Sequence, residues 1–372
     1  MTHAATDGTA RHIAARMEDG FHRWRARRAQ TRGLRPIIMP YLGYGYSSGD
    51  GGWVRVFARV ALARPGFFEN GRHKAQMIED GIRGFRNFIS PILPYAEVMV
   101  HVAGQDFKVH ADRGGVVDAK LSVDLAPGWH RVDVSVAQGE GASTEVLVID
   151  ENQRTGVICD VDDTVVVTAL PRPLLAAWNS FVLSEHARVP TPGMAVMMER
   201  LVTSRPNTPT IYLSTGAWNV AQTLNRFLSR NLYPRGPMLL TDWGPTPSAW
   251  FRSGVQHKVD QLRRLAHEFP NIRWVLIGDD GQHDPSTYAE FARRYPQHVR
   301  AIVIRQLTPS EAVLAGGRSH ELQMSTPDTD WVYEADGSRI ALRLQQLGLL
   351  EGEKRGAAAA PESGSQADDG KG

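Results

Sequence analysis

The chain has 372 residues, of which 42% are hydrophobic and 22% charged, a composition that predicts packed cores and excludes wholesale disorder. Its 42 basic and 40 acidic residues leave a formal net charge of +2, which excludes binding to polyanions by bulk charge, so no nucleic-acid partner is expected. The single cysteine, Cys159, excludes a disulfide framework and fits a reducing compartment. No apolar run approaches the roughly 20 residues of a transmembrane segment, and no secretion signal opens the chain, so we expect a soluble, cytoplasmic protein.

The two ends of the chain differ from its middle. In residues 1–34, apolar side chains recur at helical spacing among many arginines, which predicts a basic amphipathic helix. The apolar residues are Ile13, Met17, Phe21 and Trp24. Such a helix can lie on an anionic membrane surface as a peripheral contact, or it can pack on the protein's own core; both alternatives stay open. Residues 351–372 are small or charged and lack an apolar anchor, which predicts a disordered tail.

Residues 35–150 alternate apolar and polar side chains with a period of two. In the segment 53–64, for example, Val54 and Val56 share one face while Arg55 and Arg59 share the other. Similar stretches, separated by turn signals rich in Gly, Pro and Asp, occupy 97–102, 117–125, 129–137 and 144–149. Several short strands of this kind predict a small β-sandwich domain.

In residues 151–350, apolar strand-like runs alternate with helical patterns. This alternation predicts an α/β domain whose parallel sheet is covered by helices on both faces. The predicted strands are 156–159, 210–213, 237–240, 272–277 and 299–304, and the predicted helices lie near 194–202, 220–231, 255–269 and 286–294. In such sheets the reactive groups gather at the carboxyl ends of the strands, so the polar residues that follow each apolar run are the candidate site.

Those positions suit phosphoryl transfer to an aspartate. Asp160 follows the first strand and can attack phosphorus, forming an aspartyl phosphate. Asp162 can protonate the leaving oxygen and later deprotonate the attacking water. Because a carboxylate and a phosphate dianion repel each other, Mg²⁺ is required, and Asp279 after the fourth strand helps to hold it. Lys258 and the hydroxyl of Ser214 can hold the remaining phosphoryl oxygens.

The predicted roles divide into three groups. The predicted metal ligands are Asp160, Asp162 and Asp279. The predicted substrate-binding residues are Thr164, Thr215 and Gly216, and either hydroxyl of the Ser214–Thr215 pair could reach a phosphate. Asp284 can belong to the site or cap the helix that Pro285 opens, and Asp280 can join the outer shell of a metal or face water. His257 is expected to be a local hydrogen-bonding residue and not a ligand.

Aromatic side chains lie after the strand ends and in the long connection between them. They can form an apolar entrance for acyl chains, or they can pack in the core or between the domains. These residues are Trp218, Trp243, Trp250 and Phe251.

The motifs around Asp160, Ser214, Lys258 and Asp279, in this order, resemble the four motifs of the haloacid-dehalogenase-like phosphatases. That resemblance implies a Rossmannoid parallel sheet. The likeness is closer to the actin-patch-protein type of phosphatidate phosphatase, which the segment 154–306 resembles. The blocks that carry this resemblance are GVICDVDDTVVVT, PTIYLSTGAWNV, GPMLLTDWG, HKVDQLRRL and WVLIGDDGQHDPSTY. Two departures bear on the substrate: the eukaryotic members usually read Ser-Asn-Ser-Pro-Trp at 214–218, and they usually have Ser at the position of Asp280.

The resemblance implies a Mg²⁺-dependent enzyme that removes phosphate from phosphatidate to leave diacylglycerol. In that reading Asp160 is the nucleophile, Asp162 the acid/base, Ser214 the phosphate-binding hydroxyl, Lys258 the motif lysine and Asp279 the metal ligand. The expected partner is therefore a phospholipid. The alternatives are the same mechanism on a soluble phosphomonoester, a phosphoprotein or a polynucleotide end, or a catalytically silent membrane-associated adaptor.

Overall fold

A computed structural model of the chain describes residues 20, 24–64, 90–167, 189–205, 207–241, 247–281, 283–314 and 324–351. Three of the four apolar residues of the predicted amino-terminal stripe, and the tail from residue 352, lie outside these ranges. Residues 24–31 are helical, with Ala26 and Ala29 buried against Leu62, while Trp24 is 55% exposed. This part of the predicted helix therefore packs on the protein itself.

The amino-terminal region forms one hydrogen-bonded sheet of seven strands. The strands are β1 (Arg35–Ser47), β2 (Trp53–Ala63), β3 (Glu97–Val102), β4 (Gln105–His110), β5 (Val116–Ser122), β6 (Gly128–Val136) and β7 (Ala142–Asp150). They are ordered β4-β3-β6-β7-β1-β2-β5, and all neighbours are antiparallel except β1 and β7. The predicted strands are confirmed. β1 and β4 are additional, because prolines and glycines interrupt the alternation in β1 and the edge strand β4 has no buried residue.

The seven-stranded sheet is strongly curved. Val56 of β2 and Val100 of β3 belong to one apolar cluster, although three strands lie between β2 and β3 in the sheet order. In a flat sheet those strands would be about 19 Å apart, since neighbouring strands are separated by about 4.8 Å. The edge strands β4 and β5 also approach each other. One face of the sheet thus wraps around its own valine-rich core.

The carboxyl-terminal region contains a six-stranded sheet in which all neighbours are parallel. Its strands are β8 (Thr155–Asp160), β11 (Thr210–Ala217), β12 (Met238–Thr241), β13 (Arg273–Asp279), β14 (Val299–Arg305) and β15 (Asp330–Glu334), and β9 (Val166–Val167) and β10 (Val189–Pro190) form a separate ribbon. The order is β12-β11-β8-β13-β14-β15. The five predicted strands are confirmed. Their near-continuous apolar runs are typical of strands that are buried on both faces.

Helices connect the parallel strands. They are α1 (Met194–Thr203), α2 (Ala221–Arg230), α3 (Pro247–Glu268), α4 (Asp284–Arg294), α5 (Pro309–Leu314) and α6 (Gly337–Gln346). Two pairs pack together, α1 with α6 and α3 with α4. The α/β class with a parallel sheet is therefore confirmed. No helix within the described ranges is both long and apolar enough to cross a bilayer.

An aromatic cluster joins the two sheets. Trp53 and Tyr44 lie 5.8 and 5.6 Å, ring centroid to ring centroid, from Phe269, which follows α3. Phe269 in turn lies 5.9 Å from Trp274 at the start of β13. Tyr44 donates a 2.7 Å hydrogen bond to Glu268, which also pairs with Arg55 of β2. The curved sheet is thus fastened to the parallel sheet by buried apolar and charged contacts.

Candidate active site

The carboxyl ends of three neighbouring strands bring the predicted site residues together. Asp160 ends the central strand β8, and its register partner on β11 is Leu213, directly before Ser214. On the other side, Cys159 pairs with Ile277 of β13, which ends at Asp279. Because parallel strands in register end at the same edge, side chains far apart in sequence become neighbours there.

Three buried carboxylates form the centre of this edge. Oxygen atoms of Asp160, Asp279 and Asp284 lie within 4.8 Å of one another, and the three residues are 2–3% exposed. The Nζ atom of Lys258 lies 2.6 Å from Asp160 Oδ1 and 2.5 Å from Asp284 Oδ1. Three carboxylates and one ammonium group carry a formal charge of −2. A divalent cation with a preference for carboxylate oxygens fits that charge and that donor set.

The pKa values of the cluster reflect its surplus of negative charge. Burial raises the pKa of Asp160 well above its ordinary value, Lys258 opposes this, and the charges of Asp284 and Asp162 add to it. Burial, followed by the charges of Asp284 and Asp160, raises the pKa of Asp279 in the same direction. Burial alone would lower the pKa of Lys258, but the neighbouring Asp160 and Asp284 raise it above the ordinary value. The lysine is therefore held as the ammonium ion, and added positive charge would favour the ionised carboxylates.

Asp162 lies outside the cluster of Asp160, Asp279 and Asp284, and its role as a metal ligand stays a prediction. Its Oδ2 atom accepts a 2.9 Å hydrogen bond from Ser214 Oγ. The reason is the direction of the chain, because Asp162 follows the strand end by two residues and faces the β11 side of the edge. Asp284 completes the cluster in its place. An acid/base role at Asp162 is compatible with this position beside the nucleophile.

Thr164 belongs to the cluster, although a substrate-binding role was predicted for it. Its Oγ1 atom lies 3.2 Å from Asp160 Oδ2 and 3.5 Å from Asp279 Oδ2. A buried hydroxyl that donates to the nucleophile fixes the direction of that carboxylate. The threonine of the motif therefore contacts the predicted nucleophile directly.

The carboxyl-terminal end of β11 holds the predicted phosphate-binding residues, at the point where its register with β12 shifts. Ser214 to Gly216 are called the phosphate-binding segment below. Gly216 N donates a 2.9 Å bond to Ser214 Oγ. Thr241 of β12 donates to the carbonyl oxygens of Thr215 and Gly216, at 2.9 and 3.2 Å. Ser214 is 1% exposed and committed to Asp162, whereas Thr215 is half-buried. Thr215 is thus the more exposed of the two residues.

The structure settles the open question at Asp284. The residue is the first of α4, and the preceding residue, His283, occupies the cap position. Its Oδ1 atom binds Lys258, and among the described residues its Oδ2 atom has no hydrogen-bond partner. A Cβ atom at position 278 would lie 2.4 Å from that Oδ2 atom, so the glycine there lets the carboxylate approach the strand end. A glycine directly before Asp279 was the sequence signal for this arrangement.

Two further residues behind the site have mainly structural contacts. Asp280 accepts a 2.8 Å hydrogen bond from the backbone N–H of Leu307, so its carboxylate orders the neighbouring loop. His257 lies next to Lys258, and burial lowers its pKa to about 4 while the carbonyl group of Leu239, at 3.4 Å, opposes this. Its neutral imidazole fills a local position, in agreement with the prediction.

Sequence reasoning missed Arg305 at the end of β14. This guanidinium is buried, donates to the carbonyl oxygen of Asp163 at 2.6 Å and pairs with Glu311 at 2.6 Å. Asp163 has a φ of 58°, a left-handed conformation that is uncommon for residues other than glycine. Arg305 thereby supports the turn that follows Asp160, the predicted nucleophile. An arginine directly after an apolar strand run was the signal, and its strand-end position is the same as that of Asp160.

Of the aromatic residues considered for an apolar entrance, Trp218 packs between the two sheets instead. Trp218 is 6% exposed and packs against Tyr41 and Phe57 of the curved sheet. It therefore belongs to the contact between the sheets. The side chains of Trp243, Trp250 and Phe251 lie outside the described residues.

Comparison with known proteins relates this segment to one enzyme family. Residues 155–306 match the family model described as phosphatidate phosphatase APP1, catalytic domain. The phosphatidate phosphatase APP1 of Saccharomyces cerevisiae is 24% identical over 151 residues, which cover 40% of this chain and 25% of that protein. An uncharacterised protein of Schizosaccharomyces pombe is 24% identical over 199 residues, or 50% of this chain and 32% of that protein. The chain thus spans a quarter to a third of the length of these curated relatives.

Among solved structures, a carbohydrate acetylesterase from Xanthomonas citri aligns over 81% of this chain and 72% of its own, with 12% identity and a TM-score of 0.29. A score of this size supports no inference. The family match, in contrast, includes every residue of the carboxylate cluster together with Lys258 and Arg305. The candidate site thus lies within residues 155–306, the segment that is similar to the phosphatidate phosphatase APP1 catalytic domain.

Proposed function

We propose that this chain is a Mg²⁺-dependent phosphomonoester hydrolase that acts through an aspartyl phosphate on Asp160, with phosphatidate as its substrate and diacylglycerol as its product. The observation that carries the proposal is the buried Asp160–Asp279–Asp284 cluster beside Lys258, within the family-matching segment. Isolated buried charges are costly, so a cluster with a surplus of two negative charges at a strand edge indicates a function.

The proposed architecture follows the same reasoning. Residues 151–350 form a haloacid-dehalogenase-like catalytic domain with a Rossmannoid sheet, and residues 35–150 form a β-sandwich-like domain before it. The parallel order of β8, β11 and β13, with acidic residues at two of the three strand ends, supports the first assignment. The curvature of the seven-stranded sheet around its own core supports the second.

The three carboxylates would hold the metal ion. Asp160, Asp279 and Asp284 offer oxygen atoms, which Mg²⁺ prefers, and their charge together with Lys258 is matched by two positive charges. When bound, the ion reduces the repulsion between the nucleophilic carboxylate and the phosphate dianion.

The protein's own residues can perform both displacements. In the first, an Asp160 oxygen forms a bond to phosphorus while the bond from phosphorus to the ester oxygen breaks, and Asp162 gives its proton to the leaving alcohol. In the second, Asp162 takes a proton from water, the water oxygen bonds to phosphorus, and the bond between phosphorus and Asp160 breaks. The products are the alcohol and inorganic phosphate, with Asp160 and Asp162 returned to their starting states.

The remaining groups orient the phosphoryl group. Lys258 offers an ammonium ion beside Asp160, where negative charge develops on the transferring oxygens. The hydroxyls of Ser214 and Thr215 and the backbone N–H of Gly216 lie at the carboxyl-terminal end of β11, where they would donate hydrogen bonds to the phosphoryl oxygens. Ser214 also donates a hydrogen bond to Asp162, so it links the proposed acid/base to the phosphate-binding segment.

Phosphatidate is a membrane lipid, and we infer a cytoplasmic enzyme that reaches it by peripheral contact. The test is phosphate release from phosphatidate in detergent mixed micelles and from a soluble aryl phosphate, each with Mg²⁺ and with a chelator. The protein is the full chain, as wild type, as Asp160→Asn and as the matched control Asp260→Asn.

We expect Mg²⁺-dependent phosphate release that Asp160→Asn reduces by about 10³-fold or more, since the nucleophile is lost. Asp260 lies on the exposed side of α3, so Asp260→Asn should leave the rate unchanged. Cleavage of the aryl phosphate alone would retain the mechanism and replace the lipid by a soluble ester, a phosphoprotein or a polynucleotide end. No release from either substrate would indicate the catalytically silent adaptor.

A further inference from the structure

The curved amino-terminal sheet contacts Trp218, the residue directly after β11 and two positions beyond the phosphate-binding segment. The ring of Tyr41 on β1 stacks on Trp218 with a centroid separation of 5.0 Å and an interplanar angle of 29°. Phe57 on β2 contacts the same indole at 5.3 Å and 32°. Since Tyr41 and Phe57 are register partners on neighbouring strands, both rings come from one patch of the sheet.

A hydrogen bond reinforces this contact. Tyr41 Oη donates to the carbonyl oxygen of Trp218 at 3.0 Å in a buried environment. The same carbonyl accepts the N–H of Ala221, so the Tyr41 bond is an addition to the local helical turn. Burial raises the pKa of Tyr41 to about 12, with Arg59 opposing, so the phenol keeps the proton that it donates.

The held residue is close in sequence to the predicted phosphate-binding groups. Trp218 is four residues from Ser214 and two from Gly216. On the other side, Thr241 of β12 fixes the carbonyls of Thr215 and Gly216. The phosphate-binding segment is therefore held from two directions. Thr241 holds it within the parallel sheet, and the curved sheet holds it at Trp218.

We propose that Tyr41 is a positioning residue for this site: by holding Trp218, it keeps the phosphate-binding segment Ser214–Gly216, at the end of β11, where its polar groups meet the phosphate oxygens. The amino-terminal sheet is then part of the catalytic apparatus. The inference rests on the proposed function, in which residues Ser214 to Gly216 bind the phosphate. It assigns a role to the curved sheet, which lies outside the family-matching segment 155–306.

A purely structural role is the competing explanation, and the same strand provides a control for it. Tyr44 is also a fully buried tyrosine of β1, and its hydroxyl also donates across the contact, to Glu268 at 2.7 Å. Glu268 ends α3, ten residues and about 15 Å along the helix from Lys258. Replacing Tyr44 by Phe thus removes an equivalent hydroxyl that lies away from the phosphate-binding segment.

The experiment compares Tyr41→Phe and Tyr44→Phe in the full chain. Turnover is measured with an aryl phosphate, and binding of inorganic phosphate is measured both as competitive inhibition and by calorimetry with Mg²⁺. A group that holds non-reacting oxygens binds substrate and transition state alike, so its displacement raises KM more than it lowers kcat. For Tyr41→Phe we expect KM and the phosphate inhibition constant to rise together by about ten-fold, with kcat within about two-fold of wild type.

Tyr44→Phe should lower the melting temperature to a similar extent but leave both constants within about two-fold. If both variants lose stability and neither changes phosphate binding, the contact is structural only and the proposal is overturned. If Tyr41→Phe does not fold, Phe57→Leu tests the same hold on Trp218 from β2, with the same expected rise. Calorimetry separates the two proposals: weaker phosphate binding by Tyr41→Phe in a chain without turnover would retain the positioning role and reject the hydrolase.

Discussion

At the scale of single residues, Asp284 shows how the site acquires its charge. Asp160 and Asp279 alone would be balanced in part by Lys258, whereas the third carboxylate leaves a surplus of two negative charges in a buried place. A sequence pattern could not decide its role, because an acidic residue before Pro285 also suits a first helical turn. Gly278 permits the close approach that puts Asp284 beside the strand end.

The substitution Asp284→Asn should weaken binding of Mg²⁺. It removes one of three carboxylates from the cluster, so we expect the apparent affinity to fall at least about ten-fold, the usual scale for groups that support a metal. The measurement is the rise in melting temperature as Mg²⁺ is titrated into the wild type and the variant, which needs no turnover. Asp260→Asn serves as the control on α3. An unchanged Mg²⁺ titration for Asp284→Asn would place the metal elsewhere.

At the scale of elements, the turn after β8 depends on the neighbouring strand β14. Asp163 adopts a left-handed conformation, which costs energy in a residue with a side chain. Arg305 from the end of β14 binds its carbonyl and is itself paired with Glu311 of α5. The turn between Asp160 and Thr164 is therefore held from outside, by a residue more than 140 positions later in the chain.

Arg305→Met should destabilise the protein and disturb this turn. The substitution leaves the Glu311 carboxylate without its guanidinium partner. We expect the free energy of unfolding to fall by about 3 kcal/mol. We expect the urea midpoint to fall and kcat to drop with it. Arg305→Lys keeps the charge but cannot bridge both partners, so an intermediate result is expected. Wild-type stability in Arg305→Met would show that the pair contributes nothing.

At the scale of the whole molecule, the two sheets are joined by buried aromatic and charged contacts. Tyr44, Trp53 and Trp274 all surround Phe269, which is fully buried between the sheets. A contact of this kind couples the stability of the two regions. It also agrees with the role proposed for Tyr41, since a positioning contact requires the sheets to keep a fixed relation.

Phe269→Ala should therefore destabilise both regions together. Removal of a buried phenyl ring costs about 3–5 kcal/mol in the free energy of unfolding. Urea unfolding followed by tryptophan fluorescence and by far-ultraviolet circular dichroism should give coincident curves, shifted together in the variant. Leu342→Ala, at a position 61% exposed on α6, should change stability by less than about 0.5 kcal/mol. Separate transitions for the two regions would contradict the coupling.

The sequence by itself determined the elements whose signal is local. The strands that end at Asp160 and Asp279 are continuous apolar runs, and the valines of the curved sheet alternate, so period and length indicate them without a partner. Strand β4 was missed because an exposed edge strand has no apolar alternation to detect. The order of acidic, hydroxyl and lysine positions was also sufficient to predict that these side chains lie at one edge, because the topology of parallel sheets collects them there.

Only the tertiary structure decided which of those side chains meet. It turned Asp162 to Ser214 and placed Asp284 with Asp160 and Asp279. It also buried Trp218 beneath Tyr41 rather than at an entrance. The physical reason is that the direction of a side chain beyond a strand end depends on the turn that follows and on what packs against it, and those partners come from distant parts of the chain.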